Sequence, residues 1–448
     1  MSPDWATFRV DELQRAGRLL VEDGNHGEYR PRPDEFGSDG AAFIRATDMS
    51  RGRVLFESAE HINEVAVRRI RKGIGRGGDI LFSHKGTVGK LALVPIDAPP
   101  FVCSPQTTFW RTLDESRLDR RFLYYFMSSR GFTEQWHSRK GETDMADYVS
   151  LTAQRKFRLS VPPIEEQRAI ARVLGVLDDK IELNRQMNRA LEEASRALFR
   201  SWFVGFEPTL ARVDRRHPKG LTRNVASLFP EHFVDSVVGP IPEGWNVAKI
   251  GDVVRVLGGS TPRTDEPQFW AGGDIPWATP KDLSRLSNPV LLDTERKITA
   301  EGLSQISSGL LPVGTVLLSS RAPIGYLVMT EVPVAVNQGF IAMVCSGELS
   351  NHYVLRWTEE NLNEVLARAG GTTFAEISKS NFRPIPVIIP GRAILDEFDA
   401  LAAALHRRLA SNLRESETLA ALRDALLPKL LSGQVQIAPV EKLVEQAI

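Results

Sequence analysis

The amino-acid sequence predicts an α+β protein: two similar mixed α/β domains separated by two long antiparallel coiled-coil helices, with pseudo-two-fold symmetry. Two internal repeats support this prediction. Leu81–Val94 matches Leu317–Thr330 at an offset of 236 residues, and Pro162–Phe203 matches Pro390–Leu431 at an offset of 228 residues. Because the order is globular unit, helix, globular unit, helix, the two halves pack best with their helices antiparallel.

The first repeat predicts a strand–loop–strand unit that occurs twice. In each copy a β-rich run is followed by a polar turn that ends at Gly89 or Gly325, and then by a second apolar run. The first turn, within "FSHKGTVGK" (Phe82–Lys90), resembles a phosphate-binding P-loop at first sight. That interpretation fails because Leu91 stands where the motif needs Ser or Thr, and the first glycine is missing.

The second repeat predicts two amphipathic helices, each preceded by proline. Roughly 38 helical residues would span on the order of 57 Å, a length typical of a coiled coil. Asn184 and Asn412 occupy matching positions, and either fix the register across a buried interface or lie at its edge facing water. The predicted helix seam comprises Ile170, Leu174, Leu177, Ile181, Asn184, Leu191 and Leu198 in the first helix, and Phe398, Leu405, Asn412, Leu419 and Leu426 in the second.

The repeats also predict the domain boundaries. The predicted order is a first mixed domain (1–160), the first long helix (161–205), a linker (206–240), a second mixed domain (241–389), the second long helix (390–433) and a C-terminal tail (434–448).

The composition excludes several classes of function. The 448 residues include 56 basic and 56 acidic side chains, so no general affinity for polyanions or membranes is expected. Two distant cysteines, Cys103 and Cys345, exclude a disulfide framework and a cysteine-based zinc site. The hydrolase, metalloprotease and adenine-methyltransferase motifs are absent. We therefore predict no catalytic or metal-binding residues, and a cytoplasmic protein without membrane spans.

Several motifs in order carry a resemblance to a known family. They are the "PPIEEQRAI" lead into the first helix, "GPIPEGW" followed by "LGGSTP", then "IPWATPKDL" and "VNQGF". Together they resemble the specificity (S) subunit of type I restriction-modification systems, over roughly Thr7 to Gly433. The first domain matches less closely, because "DGNHGEYRPRPDEF" (Asp23–Phe36) lacks a GGSTP-like turn.

The resemblance implies a non-catalytic subunit with two target-recognition domains, each reading one half of a split site in double-stranded DNA. The helices would set the spacing and dock two methyltransferase (M) subunits, and restriction/translocase (R) subunits would join for cleavage. S-adenosylmethionine, ATP and Mg²⁺ would bind those partners, with no cofactor on this chain. The alternative is a non-catalytic protein–protein adaptor with a coiled-coil core; a stand-alone nuclease or methyltransferase is disfavoured by the missing motifs.

Polar residues on equivalent loops are the candidate DNA contacts. His84-Lys85 stands opposite Ser320-Arg321, where the side chains would read bases, bind phosphate or form a solvated hairpin tip. Gln106 and Gln338 would pair with adenine or make a hydrogen bond within the scaffold. The further candidates are Lys90, Arg45, Lys281, Thr261, Arg263, Thr372 and Thr373.

Overall fold

The computed structural model describes residues 5–139, 147–371, 375–435, 437 and 439–441. The chain forms two compact units, the first comprising Met1–Glu182 with Glu417–Ile448 and the second comprising Leu183–Ser416. Each unit has a mixed α/β part and a segment of both long helices, in line with the predicted fold class.

The first unit begins a repeated order of elements. Its strands are β1 (Ala6–Arg9), β2 (Leu19–Asp23), β3 (Phe36–Gly37), β4 (Ala41–Ile44), β5 (Met49–Ser50), β6 (Arg53–Val54), β7 (His61–Ile62), β8 (Ile80–Ser83), β9 (Leu91–Leu93), β10 (Phe101–Cys103), β11 (Thr107–Thr112) and β12 (Arg158–Val161). Its helices are α1 (Val10–Arg15), α2 (Glu64–Arg69), α3 (Arg120–Met127), α4 (Arg130–His137), α5 (Leu151–Gln154) and α6 (Ile164–Phe199), the last of which continues into the second unit.

The main sheet of the first unit is four-stranded and antiparallel, with the strand order β2-β11-β8-β9. A second sheet has the order β10-β4-β7-β3, and β1 pairs with β12. Fully buried aromatic rings fill the core, with Phe132 in edge contact with Trp110, Phe82 and Phe157 at centroid distances of 5.7, 6.0 and 5.3 Å. Aromatic side chains bury large apolar areas, so this cluster contributes much of the unit's stability.

The second unit repeats this order. Its helices are α7 (Glu207–Val213), α8 (Arg223–Ala226), α9 (Ile250–Val253), α10 (Pro280–Leu283), α11 (Ala300–Ser304), α12 (Asn351–Glu360), α13 (Leu362–Ala367), α14 (Lys379–Phe382) and α15 (Arg392–Leu431), the last of which continues into the first unit. Its strands are β13 (Phe233–Val234), β14 (Ile241–Pro242), β15 (Asn246–Lys249), β16 (Arg255–Leu257), β17 (Ile275–Ala278), β18 (Val290–Leu291), β19 (Arg296–Ile298), β20 (Val316–Ser319), β21 (Leu327–Thr330), β22 (Ala335–Val336), β23 (Phe340–Val344) and β24 (Pro386–Ile389).

The sheets of the second unit correspond to those of the first. The order β16-β23-β20-β21-β18 matches β2-β11-β8-β9 with one added strand, and β19-β17-β22 matches β7-β4-β10. The pair β15-β24 matches β1-β12. In each unit the helix that packs on the main sheet, α3 or α12, is capped by a short polar side chain: Asp119 accepts from the Phe122 N–H, and Ser350 from the Tyr353 N–H.

The long helices bury their seam within each unit. In the first unit Ile170, Leu174 and Leu177 are fully buried together with Leu419, and Ile181 and Leu426 pack against the same cluster. In the second unit Phe398 is buried against Phe199, Leu198 packs against the same core, and Leu191 packs near Leu409. Leu405 is half-buried there. Since Asn188 bonds Asn412 while Phe199 meets Phe398, the two helical segments of the second unit run antiparallel.

Asn184 and Asn412 lie inside the seam of the second unit, 0% and 1% exposed. The Asn184 amide donates to the Glu415 carboxylate at 2.8 Å and to the Ser416 hydroxyl at 3.3 Å. The Asn412 amide donates to the Asn188 side-chain oxygen at 2.8 Å. Of the two alternatives that the sequence left open, the structure therefore shows the buried one.

Residues 206–240 contain more structure than a linker. This segment holds α7, α8 and the strand β13, and its Phe229 is fully buried with its ring 5.1 Å from that of Trp202. The Arg212 guanidinium donates to the carbonyl oxygen of Ser227 at 2.7 Å. The ring contact attaches the segment to the end of the first long helix, and the Arg212 hydrogen bond holds α7 against the chain that follows α8.

Candidate nucleic-acid interface

One edge of the main sheet in the first unit gathers three loops. β2 and β8 end at this edge and β11 begins there, because Thr107 pairs with Ser83 and Thr108 with Asp23 in an antiparallel register. We call the loops 24–27, 84–90 and 104–106 the first loop edge. Most of the candidate residues of the first domain lie here.

The second unit has the equivalent edge. β16 and β20 end there and β23 begins there, with Ser319 opposite Phe340 and Leu257 opposite Ala342. We call the loops 258–264, 320–326 and 337–339 the second loop edge.

In each unit a glycine of the first loop lies against the chain at or just before the third loop. A Cβ atom on Gly24 would lie 1.9 Å from the Ser104 carbonyl oxygen, and one on Gly259 would lie 1.7 Å from the Val336 carbonyl oxygen. The next residue bonds in the same way in both units, with the Asn25 N–H donating to Cys103 and the Ser260 N–H to Val336. Gly24-Asn25 therefore occupies the place of Gly259-Ser260, although the first domain lacks the GGSTP sequence at this position.

His84 and Ser320 do not face solvent, contrary to the prediction that they contact DNA. His84 is 3% exposed, and its Nδ1 donates to the Val149 carbonyl oxygen at 3.1 Å. Burial lowers the pKa of the imidazole, so the ring carries no charge to attract phosphate at neutral pH. Ser320 is also 3% exposed, and its N–H and carbonyl bond Gly339 and Ile377. Tertiary contacts, absent from any local pattern, cover both side chains.

The basic residues of the two hairpins differ in their partners. Lys85 is exposed and makes no ion pair with the described residues. The Lys90 ammonium donates to the Ala46 carbonyl oxygen at 2.7 Å, which ties the hairpin to its own domain. Arg321 is half-buried, and its Nη1 lies 3.6 Å from the Glu376 carboxylate. Of these three side chains, Lys85 is best placed to meet an incoming phosphate.

The two glutamines are both exposed but differ in their bonding. Gln106 has no side-chain hydrogen bond to the described residues, and its main-chain carbonyl accepts from the His84 N–H at 2.9 Å. The Gln338 side-chain oxygen accepts from the Thr261 hydroxyl at 2.7 Å. The side-chain amide of Gln106 therefore has both its oxygen and its nitrogen available for a ligand. The side-chain oxygen of Gln338 is already occupied by the Thr261 hydroxyl.

The three remaining basic candidates are exposed or half-exposed, and each has an acidic partner. Arg45 pairs with Glu60, the Lys281 ammonium lies 3.4 Å from the Glu295 carboxylate, and Arg263 lies near Asp265 and Glu266. Exposed ion pairs of this kind are worth little, so these cations remain accessible to an anionic ligand. Thr372 and Thr373 lie outside the described residues.

Sequence reasoning missed two buried polar residues that position the domains. In the first unit the Gln167 side chain, 1% exposed, accepts from the Asp119 N–H and donates to the carbonyls of Arg117 and Pro162. Its place in "PPIEEQ" is the signal that could have identified it. In the second unit Arg356 of α12 binds Glu192 of α6 through two hydrogen bonds of 2.7 and 2.8 Å.

A cleft of about 550 Å³ lies beside this ion pair in the second unit. Arginines and glutamates both line it, including Arg189, Glu193 and Arg196, so the cleft has no strong charge of one sign. Within the described ranges, no three His, Cys, Asp or Glu side chains come together in a way that would hold a metal ion. Nor does that part of the chain contain a helix with the length and apolarity to cross a bilayer.

Comparison with known proteins agrees with this architecture. The family model described as the type I restriction modification DNA specificity domain matches residues 3–193 and 242–414. The HindI specificity subunit of Haemophilus influenzae is 26% identical over 440 residues, which cover 88% of this chain and 94% of that protein. The MjaIX specificity subunit of Methanocaldococcus jannaschii is 38% identical over 160 residues, which cover 35% of this chain and 37% of that protein.

The fold also matches a solved structure. The S subunit of a type I restriction-modification system from M. genitalium has a TM-score of 0.55 and 16% identity, with 96% of this chain and 97% of that chain covered. Since the family model matches well over half of the chain in two separate regions, the chain belongs to the type I restriction-modification DNA specificity family, and is a non-catalytic specificity subunit.

Proposed function

We propose that each loop edge binds one half of a split site in double-stranded DNA, and that the long helices set the spacing between the halves. The observation that carries the proposal is the repeated construction of the two edges around Gly24 and Gly259. Two binding surfaces built to one plan, but with different exposed side chains, suit a target with two different halves.

Shared residues of the two edges serve the scaffold. The Ser83 hydroxyl accepts from the Lys90 N–H at 2.7 Å, and the equivalent Ser319 hydroxyl accepts from the Tyr326 N–H at 2.8 Å. These bonds close the two hairpins in the same way, so they hold the loops without distinguishing one base from another.

Differing residues supply the readout. A glutamine amide with oxygen and nitrogen both available can pair with adenine through two hydrogen bonds, worth about 1–3 kcal/mol of discrimination. Gln106 fits that role. Gln338, whose oxygen is engaged by Thr261, retains its amide N–H groups and so suits a base that offers acceptors. Lys85 and Arg321 add charge for phosphate or guanine.

The buried polar layer of the long helices supports a fixed spacing. The 228-residue offset relates Asn184 to Asn412 and Ser416 to Asn188, so the bonds Asn184–Ser416 and Asn412–Asn188 are equivalent. Slipping one helix along the other would leave these amides without partners, because buried polar groups need hydrogen bonds. The layer therefore opposes any change in register.

The proposal extends to partner subunits. Two methyltransferase subunits would dock on the helices, and restriction/translocase subunits would complete the complex. S-adenosylmethionine, ATP and Mg²⁺ would bind those subunits. Methylation of adenine would be theirs as well, since this sequence lacks the motif with which adenine methyltransferases hold a flipped base. The protein would act in the cytoplasm, where its DNA lies.

Binding-site selection tests the proposal. The full chain, in complex with the methyltransferase subunit of the same system, is incubated with a library of random-sequence duplexes, and the bound DNA is sequenced. A motif of two defined halves around a fixed number of undefined bases is the expected result. No enrichment by the intact protein complex would favour the protein–protein adaptor, and cleavage or methylation by this chain alone would contradict a non-catalytic role.

A further inference from the structure

An arginine lies over a pair of tryptophans in the second unit. The Arg296 guanidinium carbon is 3.6 Å from the ring centroid of Trp270 and 5.3 Å from that of Trp277. The two indoles meet edge to face, with centroids 5.0 Å apart and planes at 85°. A guanidinium stacked on aromatic faces is held in a defined orientation by cation–π attraction.

The first unit contains the same arrangement. Phe36 and Phe43 stand 234 residues before Trp270 and Trp277, and their rings also meet edge to face, 5.5 Å apart at 82°. The Arg45 guanidinium carbon lies 5.4 and 5.5 Å from these two ring centroids. Arg45 follows β4, whereas Arg296 lies on β19, so the two units place the same group over matching rings from different strands.

Arg296 keeps its hydrogen-bond donors available. The residue is exposed and forms no ion pair or side-chain hydrogen bond with the described residues. The nearby carboxylates are engaged elsewhere: Glu295 pairs with Lys281 and Arg285, and Asp293 with Lys297. A rigid guanidinium with an unused fork of N–H groups matches the geometry of a phosphate.

The stacked arginine adjoins the second loop edge. The Trp270 indole N–H donates to the Arg263 carbonyl oxygen at 2.9 Å, and that of Trp277 donates to the Ser260 carbonyl oxygen at 3.3 Å. Both tryptophans therefore brace the loop that carries Thr261. In the first unit the Lys90 ammonium bonds the carbonyl of Ala46, the residue next to Arg45, so that arginine also adjoins its own loop edge.

We propose that Arg296 is a phosphate-binding residue for the DNA backbone, pre-positioned by Trp270 and Trp277, and that Arg45 is its counterpart in the first domain. The inference rests on the proposed function. The presence of a stacked arginine in both domains favours phosphate over a base as its ligand. Two domains that read different half-sites contact different bases, but both contact the same sugar–phosphate backbone. Arg45 would exchange its exposed partner Glu60 for phosphate on binding.

The test measures affinity and its salt dependence for the full chain with its methyltransferase subunit on the duplex recovered by selection. Arg296→Ala should weaken binding by about 10-fold or more, as expected for a charge-assisted hydrogen bond. It should also reduce the magnitude of the slope of log K against log salt by about 1. The selected sequence should stay the same. Arg45→Ala should lower the slope similarly.

Arg285→Ala is the matched control, because it removes the same charge from an exposed side chain of the same domain and leaves in place the guanidinium that stacks on Trp270 and Trp277. Equal losses of DNA affinity for Arg285→Ala and Arg296→Ala would show that only the net charge of the domain matters, and would overturn the inference. So would unchanged binding by Arg296→Ala, or a changed base preference. Arg296→Lys, which keeps the charge and loses the fork, should give a smaller loss of affinity without the slope change. Failure of the unaltered complex to bind any duplex would instead refute the proposed function.

Discussion

The buried ion pair between α12 and α6 predicts a large effect from one substitution. Arg356 and Glu192 are 6% and 8% exposed in their side chains, and Arg356 also bonds Ser195 and Glu359 at 3.1 and 2.7 Å. The pair joins the helix that packs on the main sheet of the second domain to the long helix. The strength of this ion pair therefore affects how firmly the second domain is attached to the long helix α6.

Arg356→Met should destabilise the second unit by about 3 kcal/mol. Removing one partner of a buried pair typically costs about 3–5 kcal/mol, because the remaining charge stays buried without compensation. We expect the lower end of this energy range, because the Arg196 guanidinium, 3.1 Å from the Glu192 carboxylate, still compensates part of its charge. The double variant Arg356→Met with Glu192→Leu removes both charges and leaves Arg196 paired with Glu359 at 2.7 Å, so it should recover most of the loss.

Equilibrium urea unfolding followed by far-UV circular dichroism measures these differences. Hydrogen exchange of the amides of α12 reports whether the loss is confined to the second unit. A loss for Arg356→Met of less than about 1 kcal/mol, the size typical of an exposed pair, would refute the reasoning. A double variant as unstable as the sum of its single variants would refute it as well.

Three further predictions concern single residues. The hydrogen bond from Arg69 holds the pKa of Glu35 at about 2, so its stabilising effect is complete above pH 4.5 and is lost as the pH falls towards 2. The difference in Tm between the wild type and Glu35→Gln should shrink over that range, and a pH-independent difference would contradict this. Asn412→Ala leaves the Asn188 oxygen without its donor and should cost about 1–3 kcal/mol in thermal unfolding, whereas an unchanged Tm would argue against the polar layer. Lys85→Ala should weaken DNA binding at unchanged Tm, and unaltered affinity at moderate salt would exclude this contact.

The parts of the fold that depend on local periodicity could be predicted from the sequence. Leu81–Val94 contains most of β8 and β9, and Leu317–Thr330 most of β20 and β21, since alternating and buried apolar runs are visible along the chain. The seam of the long helices follows the same logic, because a spacing of three and four residues places side chains on one face.

The candidate site was less predictable, because burial there is set by distant segments. His84 is covered by residues near Val149, and the Ser320 main chain is bonded by Ile377, neither of which a hairpin motif reveals. The stacking of Arg296 is not evident from the sequence motifs, because its partner Trp270 is not adjacent to it in the chain and lies outside them. The equal offset of the aromatic pairs in the two domains is the signal that could have identified it.

The central claim is that each domain reads its own half of a split site. The most direct test exchanges Leu228–Pro386 for the corresponding segment of a related specificity subunit and repeats the binding-site selection with the intact complex. A new motif that differs in one half only, with the other half and the spacing retained, is the predicted result. A change in both halves, or in neither, would contradict the claim.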